Sequence, residues 1–304
     1  MSFSEQYSNV REVLSGRDRR SLIGLGLILP SLLLVTVTII LPFLNAVQIS
    51  TIDLGTGEFV GLDHYRWLLS HDGFWSFTVK SVLWTVGNVM LQGIVGIAIA
   101  MLVNKHFFGR EAVRTVLLIP FIVPTAVTAV MWRWMLNASY GPLNHYLVEF
   151  GLLSQAVNPL GDPDIALATV TLINTWRWAP LVALVVFAIL QTIPQEEYEA
   201  ARMEGANVLQ EFYHVTFPHL QKSLTILGLL GVLLTFNIFD MVWLLTQGGP
   251  INATTTLPVF IYDVAFNLQN IGRATAVSVV LFLMLVVFVL AYFQQEAFKE
   301  GDLA

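Results

Sequence analysis

The side chains able to do chemistry are few, and most are hydrogen-bonding groups set inside apolar runs. Asn88 and Gln92 stand four apart, hence on one helix face, with Gly96 one turn further on. Asn174 and Arg177 lie within a second run, the arginine flanked by Trp176 and Trp178 and followed by Pro180. Thr235, Asn237 and Asp240 occupy a third. Polar groups placed this way face a bundle interior or a water-filled cavity, where amide and guanidinium N–H groups can exchange hydrogen bonds with a hydroxylated solute. A second reading stands beside each. Small and polar residues at helical spacing also serve helix packing, and indole faces alone can hold a guanidinium. Asp240, the one acidic side chain inside an apolar run, is either a structural partner for Arg133 or Arg177 or the ion site of an ion-coupled carrier.

Other chemistries find no residues. Without cysteine there is no disulfide, thiolate or cysteine-ligated metal. No G-x-x-x-x-G-K-[ST] phosphate loop occurs, and none of Lys80, Lys105, Lys222 and Lys299 follows a glycine. HExxH and GxSxG are absent as well. His64, His71, His106, His145, His214 and His219 are scattered without metal-ligand spacing. The chain is expected to bind no cofactor or metal and to be no enzyme. Its formal net charge of −6 offers no general attraction to nucleic acid.

The elements that must position these groups are membrane helices. Of 304 residues, 56% are hydrophobic and 12% charged, against about a quarter charged in soluble domains, and the mean hydropathy is +0.70. Six windows have the roughly 20 apolar residues that a span requires: 22–47, 79–103, 113–136, 165–190, 224–247 and 271–293. Continuous runs exclude barrel strands, which would alternate over about 10 residues. The first is no cleaved signal peptide, since a polar tail of 21 residues precedes it. One all-α domain over 22–293 follows, with tails 1–21 and 294–304. Pro120 and Pro124 should kink the third span.

Lys and Arg favour cytoplasmic loops. Arg11, Arg17, Arg19, Arg20, Lys105, Arg110, Arg114, Arg202, Lys222 and Lys299 fall on one side, and only Arg66 with Lys80 and Arg273 on the other. Both termini are therefore expected in the cytoplasm. The outer segment 51–78 holds Trp67, Phe74 and Trp75, suited to the membrane interface, and a turn at 161–164 precedes the fourth span.

Residues 194–218 are polar and helix-prone between apolar runs, facing the cytoplasm in this topology. Pro194 suits a helix start, Glu196 and Glu197 complement its dipole, and Gly205 suits its end. A second short helix, about 208–216, would run to Pro218. Ala200 and Ala201 keep one patch small enough for another surface to approach, and Glu199 offers that surface a charge. An ordinary amphipathic connection would look much the same.

Two motifs carry a family resemblance. Glu199-Ala200-Ala201, Gly205 after three intervening residues, and Val215-x-Phe217-Pro218 after nine more resemble the EAA signature of binding-protein-dependent ABC importer permeases. Val215 replaces the family's Ile and Phe217 its Leu. Phe236-Asn237-Ile238-Phe239-Asp240, Leu245-Thr246-Gln247-Gly248-Gly249-Pro250 and Thr254-Thr255-Thr256 resemble the carbohydrate-uptake branch, specifically the maltose-type first permease subunit with its glycerol-phosphate and trehalose relatives. Phe59-Val60-Gly61-Leu62-Asp63-His64-Tyr65 is similar to that branch's F-x-G-L-x-N-Y, with His64 replacing Asn.

The resemblance implies a type I ABC importer permease fold with cytoplasmic coupling helices. In it, Glu199, Ala200, Ala201, Gly205 and Pro218 would couple the chain to an ATPase. It also implies a similar second permease subunit, two ATPase subunits that bind the ATP and Mg, an extracytoplasmic binding protein, membrane lipid around the chain, and a carbohydrate or polyol substrate carried through the permease. Asn237 is then the first choice for substrate contact, followed by Asn174, Arg177, Asn88 and Gln92.

Overall fold

The computed structural model describes residues 27–105 and 107–301, with side chains through Gln294. The N-terminal tail, the first five residues of the predicted first span, His106, the Lys299 side chain and residues 302–304 lie outside that description. Among the described residues no strand forms, only a bridge between Ile52 and Phe59.

Among the described residues, five helices are long and apolar enough to cross a membrane: α1 Leu27–Ile49, α3 Asp72–Asn104, α7 Ala166–Leu190, α9 Val208–Phe236 and α12 Ile271–Gly301. A sixth span exists only as a bent pair, α4 Arg110–Ile122 and α5 Thr125–Met135, which meet at 97°. The shorter helices are α2 Asp63–Ser70, α6 Pro142–Glu149, α8 Gln195–Met203, α10 Asp240–Thr246 and α11 Leu257–Asn267.

The predicted third and fifth spans are thus corrected. Pro124 cannot continue a helix and forces Val123 into extended backbone, ψ 129°, so the expected kink is a break. The fifth helix starts at Val208 rather than 224. The short helix predicted for 208–216 does not stop at Thr216 but continues through a π turn at Phe212–Thr216. Pro218, in the next turn, has no N–H and would crowd the carbonyl four residues back; the wider π turn accommodates it. The helix then ends at Phe236, because the Asn237 side-chain amide donates to the Leu233 carbonyl at 2.8 Å in place of a continuing backbone bond. The last helix runs to Gly301, eight residues past the predicted end at 293.

Three apolar clusters hold the described bundle together. Leu68, Phe74, Phe77, Phe260 and Val277 form one. Trp84, Ala129, Val170, Met241 and Val242 form a second, with Leu143 and Leu160 packed against it. Ala100, Ala183, Val186, Leu190 and Leu220 lie next to α8. Phe74 is buried at 1% exposure and so is core rather than an interfacial ring, whereas Trp75 stays exposed. Helices α3 and α7 pack along most of their length. Gly96 permits this: a Cβ there would lie 2.7 Å from Val182 Cγ1 and 3.1 Å from the Ala183 nitrogen.

Candidate functional site

The segment from α8 into α9 is a helix–turn–helix whose backbone groups are satisfied internally. Pro194 is the N-cap, one position ahead of the expected first turn, with Glu196 and Glu197 in that turn. At the other end Gly205 adopts φ +85°, the left-handed conformation that glycine takes without steric cost. Gly205 N donates to Arg202 O at 3.0 Å and Ala206 N to Ala201 O at 3.0 Å, closing the last carbonyls of α8. Asn207 then opens α9 with a capping box. Its Oδ1 accepts from Leu209 N (3.1 Å) and Gln210 N (3.0 Å), and Gln210 Oε1 accepts from Asn207 N (2.8 Å).

Side chains fix the angle between the two helices. Arg202 donates from Nε and Nη2 to the two Glu211 carboxylate oxygens at 2.8 and 3.1 Å. These hydrogen bonds hold the Glu211 carboxyl below the usual carboxylate range, and Glu211 raises the guanidinium in turn. Both groups lie in the polar stretch 194–218, ahead of the apolar part of α9. Tyr198 Oη and Thr216 Oγ1 meet at 3.0 Å, and His219 Nε2 lies 3.5 Å from Glu197 Oε1. Tyr198 and Ala201 pack against the adjoining apolar cluster, which anchors one face of α8. The other side presents Glu199, Ala200 and Gly205 to the exterior. Around the turn Met203, Val208, Leu209 and Tyr213 are exposed at 89, 71, 65 and 59%. A braced turn with a protruding apolar rim is suited to insertion into a cleft of another protein. Pro218 is exposed beside it.

The polar residues within the spans do not form one site. Asn174 Nδ2 donates to Asn88 Oδ1 at 2.7 Å, and Gln92 Nε2 to the same oxygen at 3.2 Å. Asn88 Nδ2 donates to Trp84 O, and Trp84 Nε1 to Thr235 O. Asn88 and Asn174 are fully buried and Gln92 nearly so. This chain of bonds ties α3 to α7 and α9. Gln92 also edges a groove of about 480 Å³ shared with Trp178, Thr235 and Ile238. Asn237 lies elsewhere, exposed at the break after α9, on a cavity of about 650 Å³ with Leu233, Pro258, Ser278 and Leu281.

Arg177 sits 5.2 Å from the Trp178 ring, with Nε 3.4 Å from the Val123 carbonyl at the α4–α5 break. Trp176 turns away to meet Trp132 edge-on at 5.5 Å. Asp240 pairs with neither arginine: it is exposed and accepts from its neighbour Met241 N, while Arg133 reaches the Leu244 carbonyl. Among the described residues no three His, Asp or Glu side chains converge as a metal site would require.

The sequence reading missed the braces. Asn207-x-x-Gln210 has capping-box spacing and was available as a signal. The Arg202–Glu211 and Tyr198–Thr216 pairs span a turn, and nothing in local spacing announces them.

A family model described as binding-protein-dependent transport system inner membrane component matches residues 92–300. Over 285 residues the chain is 34% identical to the trehalose/maltose transport system permease protein MalF of Thermococcus litoralis, covering 92% of this chain and 96% of that one. It is 29% identical over 266 residues to the sulfoquinovosyl glycerol transport system permease protein SmoG of Agrobacterium fabrum, 86% of each chain. A chain from the crystal structure of a bacterial ABC transporter importing the acidic polysaccharide alginate superposes with TM-score 0.80 at 20% identity, over 93% of this chain and 97% of that chain. The type I importer permease fold expected from the sequence is the fold observed.

Proposed function

Because this chain belongs to the family of binding-protein-dependent transport system inner membrane components, we propose that it is the permease subunit of an ATP-driven importer for a sugar, oligosaccharide or related polyol. It is a multi-pass inner-membrane transport component, and its relatives are named as permeases. The braced turn of α8, Gly205 and α9 carries the coupling part of this reading. Its exposed rim of Met203, Val208 and Leu209 suits a cleft on a separate ATPase subunit.

In this reading ATP and Mg reside on two such ATPases. A second, similar permease completes the pathway, and an extracytoplasmic binding protein delivers the solute; a related alginate transporter has been solved with a periplasmic protein bound. Movement of the ATPases is transmitted to α8 through the turn. The Tyr198–Thr216 and Arg202–Glu211 contacts make α8 and the start of α9 move as one unit, so the spans respond as largely rigid bodies. Sugar is favoured as cargo by the trehalose/maltose relative and by neutral amides such as Asn237 beside a cavity.

The test is copurification of tagged chain with an ATPase subunit, comparing wild type with Gly205→Asp and Glu199→Lys. Retention by wild type and loss in both variants supports the assignment. Absence of an ATPase, or binding indifferent to both changes, overturns it.

A further inference from the structure

At the end of the bundle next to α8, Arg114 has a half-used side chain. Nη1 donates to Glu111 Oε1 at 2.7 Å, and the guanidinium lies 4.2 Å from the Phe187 ring centre. Nε and Nη2 have no hydrogen-bond partner among the described residues and are closed to solvent. Those two N–H groups form the edge of the guanidinium that grips an oxyanion with two parallel bonds. Arg202 uses that same edge on Glu211. Donors left in this state are costly.

The setting identifies what would take them. Arg114 borders a cavity of about 90 Å³ between α3, α4 and α7, otherwise walled by apolar side chains such as Val103, Leu117, Leu118, Leu184 and Phe187. Arg110 is half-buried nearby, 3.5 Å from Glu111, and Lys105 is exposed where the chain leaves α3. Phe107 and Phe108 project from the connecting loop at 40 and 105% exposure, as interfacial anchors do. Three cations against one exposed carboxylate, beside an apolar cleft, complement a group that is anionic at its head and aliphatic behind.

We propose that this cleft is a binding site for an anionic phospholipid. Its headgroup phosphate takes the free edge of Arg114, supported by Arg110 and Lys105, and only the first few methylenes of an acyl chain enter the small cavity, the rest lying in the bilayer. Basic pockets between membrane helices bind phosphate headgroups in this way. The side chain as a whole is 22% exposed and its one partner, Glu111, 76% exposed, so rotation about the outer torsions presents the edge to a headgroup.

The experiment uses the full chain in nanodiscs of equal phosphatidylglycerol and phosphatidylcholine, with retained lipid counted by native mass spectrometry. Wild type should retain phosphatidylglycerol preferentially. Arg114→Ala should lower that preference about fivefold, the effect of one basic residue near an anionic surface. Arg114→Lys keeps a charge without the two-toothed edge and should fall between them. Arg66→Ala, on an exposed outer residue, should match wild type, and millimolar inorganic phosphate should not displace the lipid. Should Arg114→Ala fail to fold, Arg114→Lys carries the test. Wild-type preference in Arg114→Lys overturns the proposal, as does displacement by inorganic phosphate, which would assign the site to a free anion.

Discussion

Asn174 reaches Asn88 across the α3–α7 interface with a 2.7 Å hydrogen bond, and the accepting oxygen is the one on which Gln92 also converges. These groups are buried where no water competes, so each depends on the others. Asn88→Leu should destabilise the fold by about 1–3 kcal/mol by orphaning the Asn174 and Gln92 amides, and Asn174→Leu should cost less, since Asn88 Oδ1 keeps the Gln92 bond. The double variant should cost less than their sum, by about 1 kcal/mol. Reversible unfolding in mixed micelles measures this, and strict additivity would show the pair to be uncoupled.

Gly96 and Gly93 make a matched pair on one helix. A side chain at Gly96 collides with Val182 and the Ala183 backbone, whereas at Gly93 nothing lies within 4 Å. Gly96→Val should therefore cost about 1–3 kcal/mol through overpacking. Gly93→Ala should be neutral or slightly stabilising. Thermal melts of the two variants compare them directly, and equal melting temperatures would refute the close approach of α3 and α7.

At Gly205 the constraint is conformational, for the surrounding space is open while φ is +85°. Gly205→Ala should loosen the turn by about 1 kcal/mol, and Gly205→Asn by less, since Asn tolerates the left-handed region. Hydrogen exchange over 195–211 should rank glycine, asparagine and alanine in that order of protection. Any other order speaks against a strained cap.

The Arg202–Glu211 brace should respond to acid. The carboxyl is depressed in the folded chain, so its contribution is present above the unfolded carboxylate range and is lost as pH falls through the folded value. Protection of 195–211 should drop on acidification in wild type. Glu211→Gln should already be less protected at pH 7 and show a flatter profile. A steep profile in that variant would place the sensitivity elsewhere.

How much of this was legible depended on how local each cause was. Helices α3 and α7 could be read because their polar residues recur at helical spacing within long apolar runs. The turn after α8 could be read because Gly205 acts on its own residue. The break after α9 could not: apolar content continues past Phe236, and what ends the helix is the Asn237 amide taking the Leu233 carbonyl. Nor could Pro124 alone distinguish a modest kink from a 97° turn. The pairing of Asn88 with Asn174 joins residues 86 positions apart, and the direction of a buried amide follows from packing rather than spacing. Asp240 suggested an ion pair by composition, yet its carboxylate turns to the neighbouring Met241 N–H.

The turn at Val123–Pro124 also bears on how the chain enters a membrane. Helices α4 and α5, 13 and 11 residues long, measure only about 20 and 16 Å at 1.5 Å per residue, too short for either to cross alone. During synthesis neither can settle as an independent span, and the carbonyl bared between them finds its donor on Arg177, a residue made more than fifty positions later. The folded arrangement of this region is therefore complete only once α7 is in place.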